Sequence, residues 1–313
     1  MQIYFAPLEG ITGYVFRNAY EKYYGGVDKY FTPFITPHTK KLMNSREKTD
    51  ILPENNKGLN VVPQVLTNKA EELIDVCKCL GEFGYTEVNL NLGCPSRTVT
   101  AKGKGSGFLE KPRELEEFFD RFFRVSDTRL SIKTRIGIAD VEEAEKLFRV
   151  FERFPFEEVI IHARLQQEFY QGIPHYDVFE KYCKRSRHSL CYNGDLKNWD
   201  DICTLEKQFE KCDKYMLGRG LLFHPAALLS KGNEMIDKAE KIKKFKDFHD
   251  ELVEGYDAYM CGDRNTLFKM KELWGYWGVQ FSGQEKLLKK IKKADTLAEY
   301  RPLVNSIISS VIE

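Results

Sequence analysis

The stretch Glu87-Val88-Asn89-Leu90-Asn91-Leu92-Gly93-Cys94-Pro95-Ser96 decides how the chain is read. Val88, Leu90 and Leu92 alternate with Asn89 and Asn91, the two-residue period of a strand with one apolar and one polar face. Gly93 permits a sharp exit from that strand, and Pro95 cannot continue its ladder. The pattern predicts a thiol, Cys94, held at the lip of a strand beside two amides. A lone cysteine more often packs as a small apolar side chain. The asparagine pair and the Gly/Pro bracket point instead to a site that meets a polar ligand.

Working outward, short apolar strands alternate with amphipathic helices as far as about residue 230. The pattern predicts strands over Ile3–Pro7, Asp28–Phe34, Asn60–Leu66, Glu87–Gly93, Leu130–Gly137, Glu158–Arg164, Ser189–Asp195 and Lys214–Gly220. Helical periodicity covers Lys69–Phe83, Pro112–Val125, Val141–Phe154, Tyr176–Arg185 and Trp199–Glu210. Thr36–Leu59, rich in charge, Pro and Asn, is expected to be a long loop. Eight strands with a helix or loop after each predict a parallel (β/α)8 TIM barrel over residues 1–238.

A barrel carries its site at the C-terminal ends of its strands. Here those ends are polar. They include Pro7-Leu8-Glu9, Gln64, Lys133-x-Arg135, His162-x-Arg164, Asn193-Gly194-Asp195 and Gly218-Arg219-Gly220. Alternation places Lys133 with Arg135 on one strand face and His162 with Arg164 on another. Buried barrel strands otherwise favour Val, Ile and Leu, so charged pairs at one rim call for a ligand. The glycine turns after the seventh and eighth strands suit a phosphate, with Arg219 supplying charge. No Gly-x-Gly-x-x-Gly follows the first strand, so a Rossmann dinucleotide site is not indicated. The basic, glycine-rich run Lys102–Gly107 reads as a mobile loop, a lid or a phosphate contact.

From about Ala239 the pattern changes to helices without strands, an all-helical domain over residues 239–313. Lys269–Lys293 holds seven lysines against two glutamates, a local charge of +5 in a chain of net charge +1. Such a surface suits an RNA backbone as well as a solvated helix face. Its Trp and Tyr residues are expected to pack as bundle core. Eight cysteines without a Cys-x-x-Cys pair argue against a metal site and for a reduced, cytoplasmic setting. No stretch approaches the roughly 18 continuous apolar residues of a membrane span.

Taken in order, these motifs resemble those of the tRNA-dihydrouridine synthases over nearly the whole chain. The set begins with Ala-Pro-Leu-Glu-Gly-Ile-Thr at residues 6–12 and runs through Asn-Leu-Asn-Leu-Gly-Cys-Pro-Ser to the helical tail. The resemblance implies an FMN-dependent barrel, NADPH as reductant, tRNA as partner, and a monomer. Pro7, Leu8, Glu9, Gln64, Lys133 and His162 would then line the flavin. Asn193, Gly194, Asp195, Gly218 and Arg219 would hold its phosphate end. Cys94 would be the proton donor. Asn91, Arg135 and Arg164 would address the uracil or its phosphate, Lys269 and Lys271 would contact tRNA, and Asn89 would buttress the barrel mouth.

The chemistry agrees with these residue types. Saturating the C5–C6 bond of uracil needs a hydride at C6, which reduced flavin supplies, and a proton at C5 from an acid on the other face. The sequence departs from the family pattern at Gly13, where an Asp commonly stands, and at His162-Ala163-Arg164-Leu165. Three other readings stay open: an FMN-barrel oxidoreductase of a small pyrimidine-like substrate, a synthase acting on rRNA, and a non-catalytic RNA-binding flavoprotein.

Overall fold

A computed structural model describes residues 1–38, 41–232, 237–260 and 262–312. Cys261 and two residues of the expected Thr36–Leu59 loop lie outside that set. The chain opens with β1 (Gln2–Phe5), α1 (Tyr14–Tyr23), β2 (Lys29–Phe31) and α2 (Ser45–Ile51). There follow β3 (Val61–Val62), β4 (Gln64–Val65), α3 (Ala70–Glu82), β5 (Glu87–Leu92), α4 (Arg97–Thr100) and α5 (Pro112–Val125). Next come β6 (Arg129–Gly137), α6 (Glu143–Phe151), β7 (Val159–Leu165), α7 (Tyr176–Arg185), β8 (Leu190–Asn193), α8 (Trp199–Gln208) and β9 (Lys214–Leu217). The rest is helical: α9 (Arg219–Phe223), α10 (Lys238–Met260), α11 (Asp263–Trp277), α12 (Glu285–Lys293) and α13 (Leu297–Ile312).

All strands are parallel and belong to one sheet, in the order β3-β2-β1-β9-β8-β7-β6-β5-β4. Its two ends, β3 and β4, are halves of the single expected strand Asn60–Leu66, interrupted at Pro63. Proline has no N–H to give the ladder, yet Pro63 O still accepts from Asn89 N at 2.9 Å. β3 pairs with β2 on one side and β4 with β5 on the other, so the sheet turns back on itself as a barrel. Alternate residues of each strand point in, and Tyr4, Ala6, Phe31, Val62, Ile160, Cys191 and Met216 form an apolar cluster separate from the main core under the helices.

The expected Thr36–Leu59 loop holds helix that the sequence reading does not foresee. In the expected loop, Asn44 and Glu47 form a capping box: Asn44 Oδ1 accepts from Glu47 N at 2.9 Å, and Glu47 Oε2 from Asn44 N at 2.7 Å. This starts α2, and a turn of 3-10 helix follows at Pro53–Asn56. The buried Arg17 guanidinium ties α1 to this segment through Asp50 Oδ2 (3.0 Å) and Asn56 Oδ1 (2.8 Å). Asp50 also reaches the start of α1 beside Gly13, where its Oδ1 accepts from Tyr14 N at 2.5 Å. In the tail, α13 contributes Tyr300, whose hydroxyl accepts from Trp274 Nε1 at 2.6 Å in the bundle core.

The tail packs on the start of the barrel. Phe248 of α10 meets Phe16 of α1 and Tyr24 just after it edge-on, at 5.6 and 5.2 Å between ring centroids. Gly255 allows the close approach, because a Cβ there would lie 2.7 Å from Val15 Cγ1. Trp274 and Trp277 are buried in the bundle, as the sequence reading expects. Among the described residues no helix is long and apolar enough to cross a membrane.

Candidate active site

A cavity of about 670 Å³ opens at the C-terminal end of the strands. Parallel register explains why the polar residues converge there: Gln64 lies beside Asn89, Asn91 beside Lys133, Arg135 beside His162, and His162 beside Asn193. Cys94, Asn91, Gln64, Lys133, Arg135 and His162 all reach the cavity wall. So do Pro7, Leu8 and Glu9 from the loop after β1, and Asn193, Gly194, Asp195, Gly218 and Arg219 from the turns after β8 and β9. Arg164, Lys269 and Lys271 do not.

The cysteine is held from both sides. Asn91 Oδ1 accepts from Gly93 N at 3.0 Å and Cys94 N at 2.9 Å, which fixes the turn leaving β5. Cys94 O accepts from Ser106 N at 3.1 Å and Ser106 Oγ at 2.9 Å. Gly105 has φ +56°, and a Cβ on it would sit 2.8 Å from Cys94 O. The C-terminal part of the basic glycine run is therefore a buried buttress under Cys94 rather than a lid, and Gly105, Ser106 and Gly107 are all buried. Burial pushes the Cys94 thiol up, against the pull of Ser96 N–H, Arg135 and Lys133. A thiol so placed keeps its proton at neutral pH and suits an acid better than a nucleophile.

The cations divide into two kinds. Lys133 faces the cavity with no hydrogen-bond or ion-pair partner among the described residues. Burial, aided by Arg135, pushes its pKa down to about 8. Arg135 instead stitches two loops, donating to Gly93 O (2.9 Å), Leu165 O (2.8 Å) and Phe169 O (2.7 Å). His162 is held neutral, well below its usual range, by burial and by the surrounding Arg135, Lys133, Arg164 and Arg219.

Arg164 departs from its expected place. Its fully buried guanidinium engages Asp195, Gln171 O at 3.0 Å and Gly172 O at 2.6 Å. Alternation gave its strand face correctly, but the loop after β7 folds back over it. Asp195 bridges Arg164 (2.9 Å) and Arg219 (3.2 Å), and takes φ +46° after Gly194.

The tail enters the site differently from expectation. Lys269 Nζ donates to Gly10 O at 2.6 Å and meets Glu272 at 3.0 Å, clamping α11 to the loop after β1. Lys271 lies half-buried away from the cavity. Tyr276 and Val279 line the cavity, although the tail aromatics were expected as bundle core. Tyr170 is a second omission: its ring lies 4.2 Å from the Arg219 guanidinium and 5.5 Å from that of Arg135. Its position in the loop after a strand ending His-Ala-Arg was the available signal.

Residues 4–299 match the profile of a family described as dihydrouridine synthase (Dus). The chain belongs to the dihydrouridine synthase family. A probable tRNA-dihydrouridine synthase of Staphylococcus epidermidis is 26% identical over 312 residues, covering 96% of this chain and 92% of its own. Probable tRNA-dihydrouridine synthase 2 of Bacillus subtilis is 26% identical over 260 residues, covering 79% of this chain and 77% of its own. Two solved structures share the barrel. Morphinone reductase in complex with tetrahydroNAD aligns with TM-score 0.52 and 12% identity over 77% of this chain and 90% of its own. The old yellow enzyme from Trypanosoma cruzi gives 0.51 and 7% over 82% and 94%. At such identities these two speak for the fold alone.

Membership of the dihydrouridine synthase family implies a flavin and a nicotinamide reductant, and the residues present fit the flavin. Lys133 is a cation facing the cavity with no counter-charge paired to it among the described residues. Gln64 uses one amide hydrogen and one lone pair inside the barrel, leaving one of each for a heterocycle edge. Gly220 lets the turn after β9 fold tightly, since a Cβ there would lie 2.1 Å from Leu196 O.

Proposed function

We propose that this dihydrouridine synthase reduces the C5–C6 bond of uridines in tRNA to 5,6-dihydrouridine, with FMN in the barrel and NADPH as reductant. The observation that carries the reading is Cys94: a protonated thiol, braced from two sides, on the wall of a cavity that also presents Lys133, which has no ion-pair partner among the described residues. When bound, the reduced flavin supplies hydride to C6 of the uracil. Cys94 delivers the proton to C5 from the other face. The thiolate left behind lies in the field of Arg135 and Lys133, the cations that already pull the thiol down. Asn91 has one N–H left to orient the base, and Gln64 reads the flavin edge.

Residues 1–238 form the catalytic barrel in this reading, and 239–313 the tRNA-recognition domain of a cytoplasmic monomer. Lys271 and the lysines of α12 contact the RNA backbone, Lys269 is a clamp, and Arg164 positions Asp195 rather than touching substrate. Target uridines must be swung out of the folded RNA into the cavity. The exposed lysine face of α12 favours RNA over a small pyrimidine, which has no use for it.

The test is to map dihydrouridine, position by position, in RNA from cells lacking the protein. Loss from defined tRNA positions, regained on re-expression, is expected. Loss from rRNA alone would move the substrate, and an unchanged map with a colourless protein that FMN cannot reconstitute would sink the reading.

A further inference from the structure

β5 turns three alternate polar side chains into the barrel: Glu87 at its start, Asn89 midway and Asn91 at the cavity, none more than 7% exposed. Glu87 and Asn91 are about 13 Å apart along the strand. Buried amides are costly unless paired, and these are paired in one continuous series. Gly93 N and Cys94 N donate to Asn91 Oδ1 (3.0 and 2.9 Å), and Asn91 Nδ2 donates to Gln64 Oε1 (2.7 Å). Gln64 Nε2 donates to Asn89 Oδ1 (2.8 Å), Asn89 Nδ2 to Ser131 Oγ (2.9 Å), and Ser131 Oγ to Glu87 Oε1 (2.8 Å).

Every bond in this series points the same way, and neither end has a choice. At the cavity, backbone N–H groups only donate, so Asn91 must present its oxygen to them. At the far rim, burial pushes the Glu87 carboxyl up, and Lys29 Nζ at 3.1 Å acts against that push by favouring the charged carboxylate. A carboxylate only accepts, so Ser131 must direct its hydrogen to it. The two ends impose the same sense on the amides between them. No single amide can turn over without breaking a bond on each side. The bonds left for ligands, one N–H on Asn91 and one N–H and one lone pair on Gln64, are set by the same direction.

We infer that Glu87, at the rim opposite the cavity, is a positioning residue whose carboxylate terminates this one-way series and so orients Gln64, Asn91 and the Cys94 turn. Its effect on turnover rests on the function proposed above; the amide arrangement does not. Glu87 has a competing structural role, because Lys29 Nζ lies 3.1 Å from Oε2 and also meets Glu158 at 2.8 Å. That cluster alone would account for a buried glutamate, so the test must separate the two.

Ser131→Ala makes the separation, since it removes the two bonds of the series that meet at Ser131 Oγ and leaves the Lys29 ion pairs in place. In protein free of flavin and RNA, the 15N side-chain amide resonances of Gln64 and Asn91 should shift. The alkylation rate of Cys94 should change by about threefold or more, while Tm falls only by the cost of leaving the Asn89 amide hydrogen unpaired. Ser131→Thr, which keeps the hydroxyl, should restore both readouts. Glu87→Gln should shift the same resonances and lower Tm further. In the loaded enzyme each variant should lose about tenfold in kcat with little change in KM for tRNA. The double variant should be no slower than the worse single one, because both cut the same series. Amide resonances and thiol reactivity unchanged in Ser131→Ala would overturn the inference, as would a Glu87→Gln protein altered in Tm alone. Multiplying losses in the double variant would also count against it. A wild-type protein that makes no dihydrouridine would sink the proposed function, while the amide and thiol measurements would still decide this one.

Discussion

The wall made by β4, β5 and β6 and the wall made by the loops after β7 and β9 face the same cavity but are held differently. On the first, Gln64, Asn91 and Cys94 are fixed by short neutral hydrogen bonds that continue down through the barrel. On the second, buried Arg135 and Arg164 hold the backbone of the loop after β7. The side chains facing the cavity there are looser: Tyr170 is half exposed, and its ring stacks against Arg219, itself paired with the partly exposed Asp195. Saturated, buried hydrogen bonds allow one arrangement, whereas aromatic and ionic contacts near water tolerate several. The contrast assigns the chemistry to the first wall and accommodation of the substrate to the second.

The largest effect should come from the fixed wall. Cys94→Ala removes the acid, and a positioned acid contributes about 10²- to 10⁴-fold. Dihydrouridine formation should fall by that order while bound flavin and NADPH oxidation persist. Product formation at the wild-type rate would take the proton donor away from this wall. Next in size is Gly105→Ala, which changes no reacting group. Its Cβ would press on Cys94 O from a backbone at φ +56°. Strain of this kind costs about 1–3 kcal/mol, and uridine reduction should drop well below wild type with flavin affinity unchanged. The same substitution at Gly172, also at positive φ but with nothing within 4 Å, should leave turnover close to normal.

Much of this division was legible in the sequence, and what was not has identifiable causes. Short apolar runs between helical patterns located every strand, and Pro63 divides the third where its missing N–H requires. The rim residues followed from strand ends, because a parallel barrel brings those ends together whatever its loops do. Alternation gives a face but not a depth, so Arg164 was placed on the correct face and still missed the cavity. Composition misread Lys102–Gly107: Gly105 and Gly107 serve close packing there, not mobility. The capping box at Asn44 and Glu47 was present in the sequence, but charge and proline around it suggested loop. Tyr276 reaches the cavity only through tertiary packing of the tail, which no local pattern encodes, whereas for Tyr170 its place in the loop after β7 was the one signal available.

Lys133 offers a test at the junction of the two walls. Its pKa of about 8 means that flavin-free protein loses this ammonium as pH rises through that value. An electron-rich ligand prefers the charged form, so binding draws a proton above pH 8 and affinity must fall. Wild-type flavin affinity should weaken by about tenfold at most between pH 7 and 9. Lys133→Met should bind flavin more weakly at pH 7 and show a flat profile. A flat wild-type profile in a fluorescence titration would mean that Lys133 does not face the flavin.

The smallest effects lie in the tail, where two kinds of lysine should separate by salt dependence. Lys286, Lys289, Lys290, Lys292 and Lys293 are exposed on α12, and none has an ion-pair partner among the described residues. Each phosphate neutralised adds about 0.7 to 0.9 to the slope of log K against log salt. Lys290→Ala should therefore weaken tRNA binding by roughly twofold at physiological salt and lower the slope by a little under one. Lys269→Ala should behave otherwise, because its ammonium already serves Gly10 O and Glu272. It should leave the salt slope unchanged and reduce Tm by loosening α11 from the loop that carries Pro7, Leu8 and Glu9. If Lys269→Ala lowers the slope and Lys290→Ala does not, the RNA path runs along the cavity rim rather than across α12. The second wall would then be the start of the RNA surface instead of a boundary beside it.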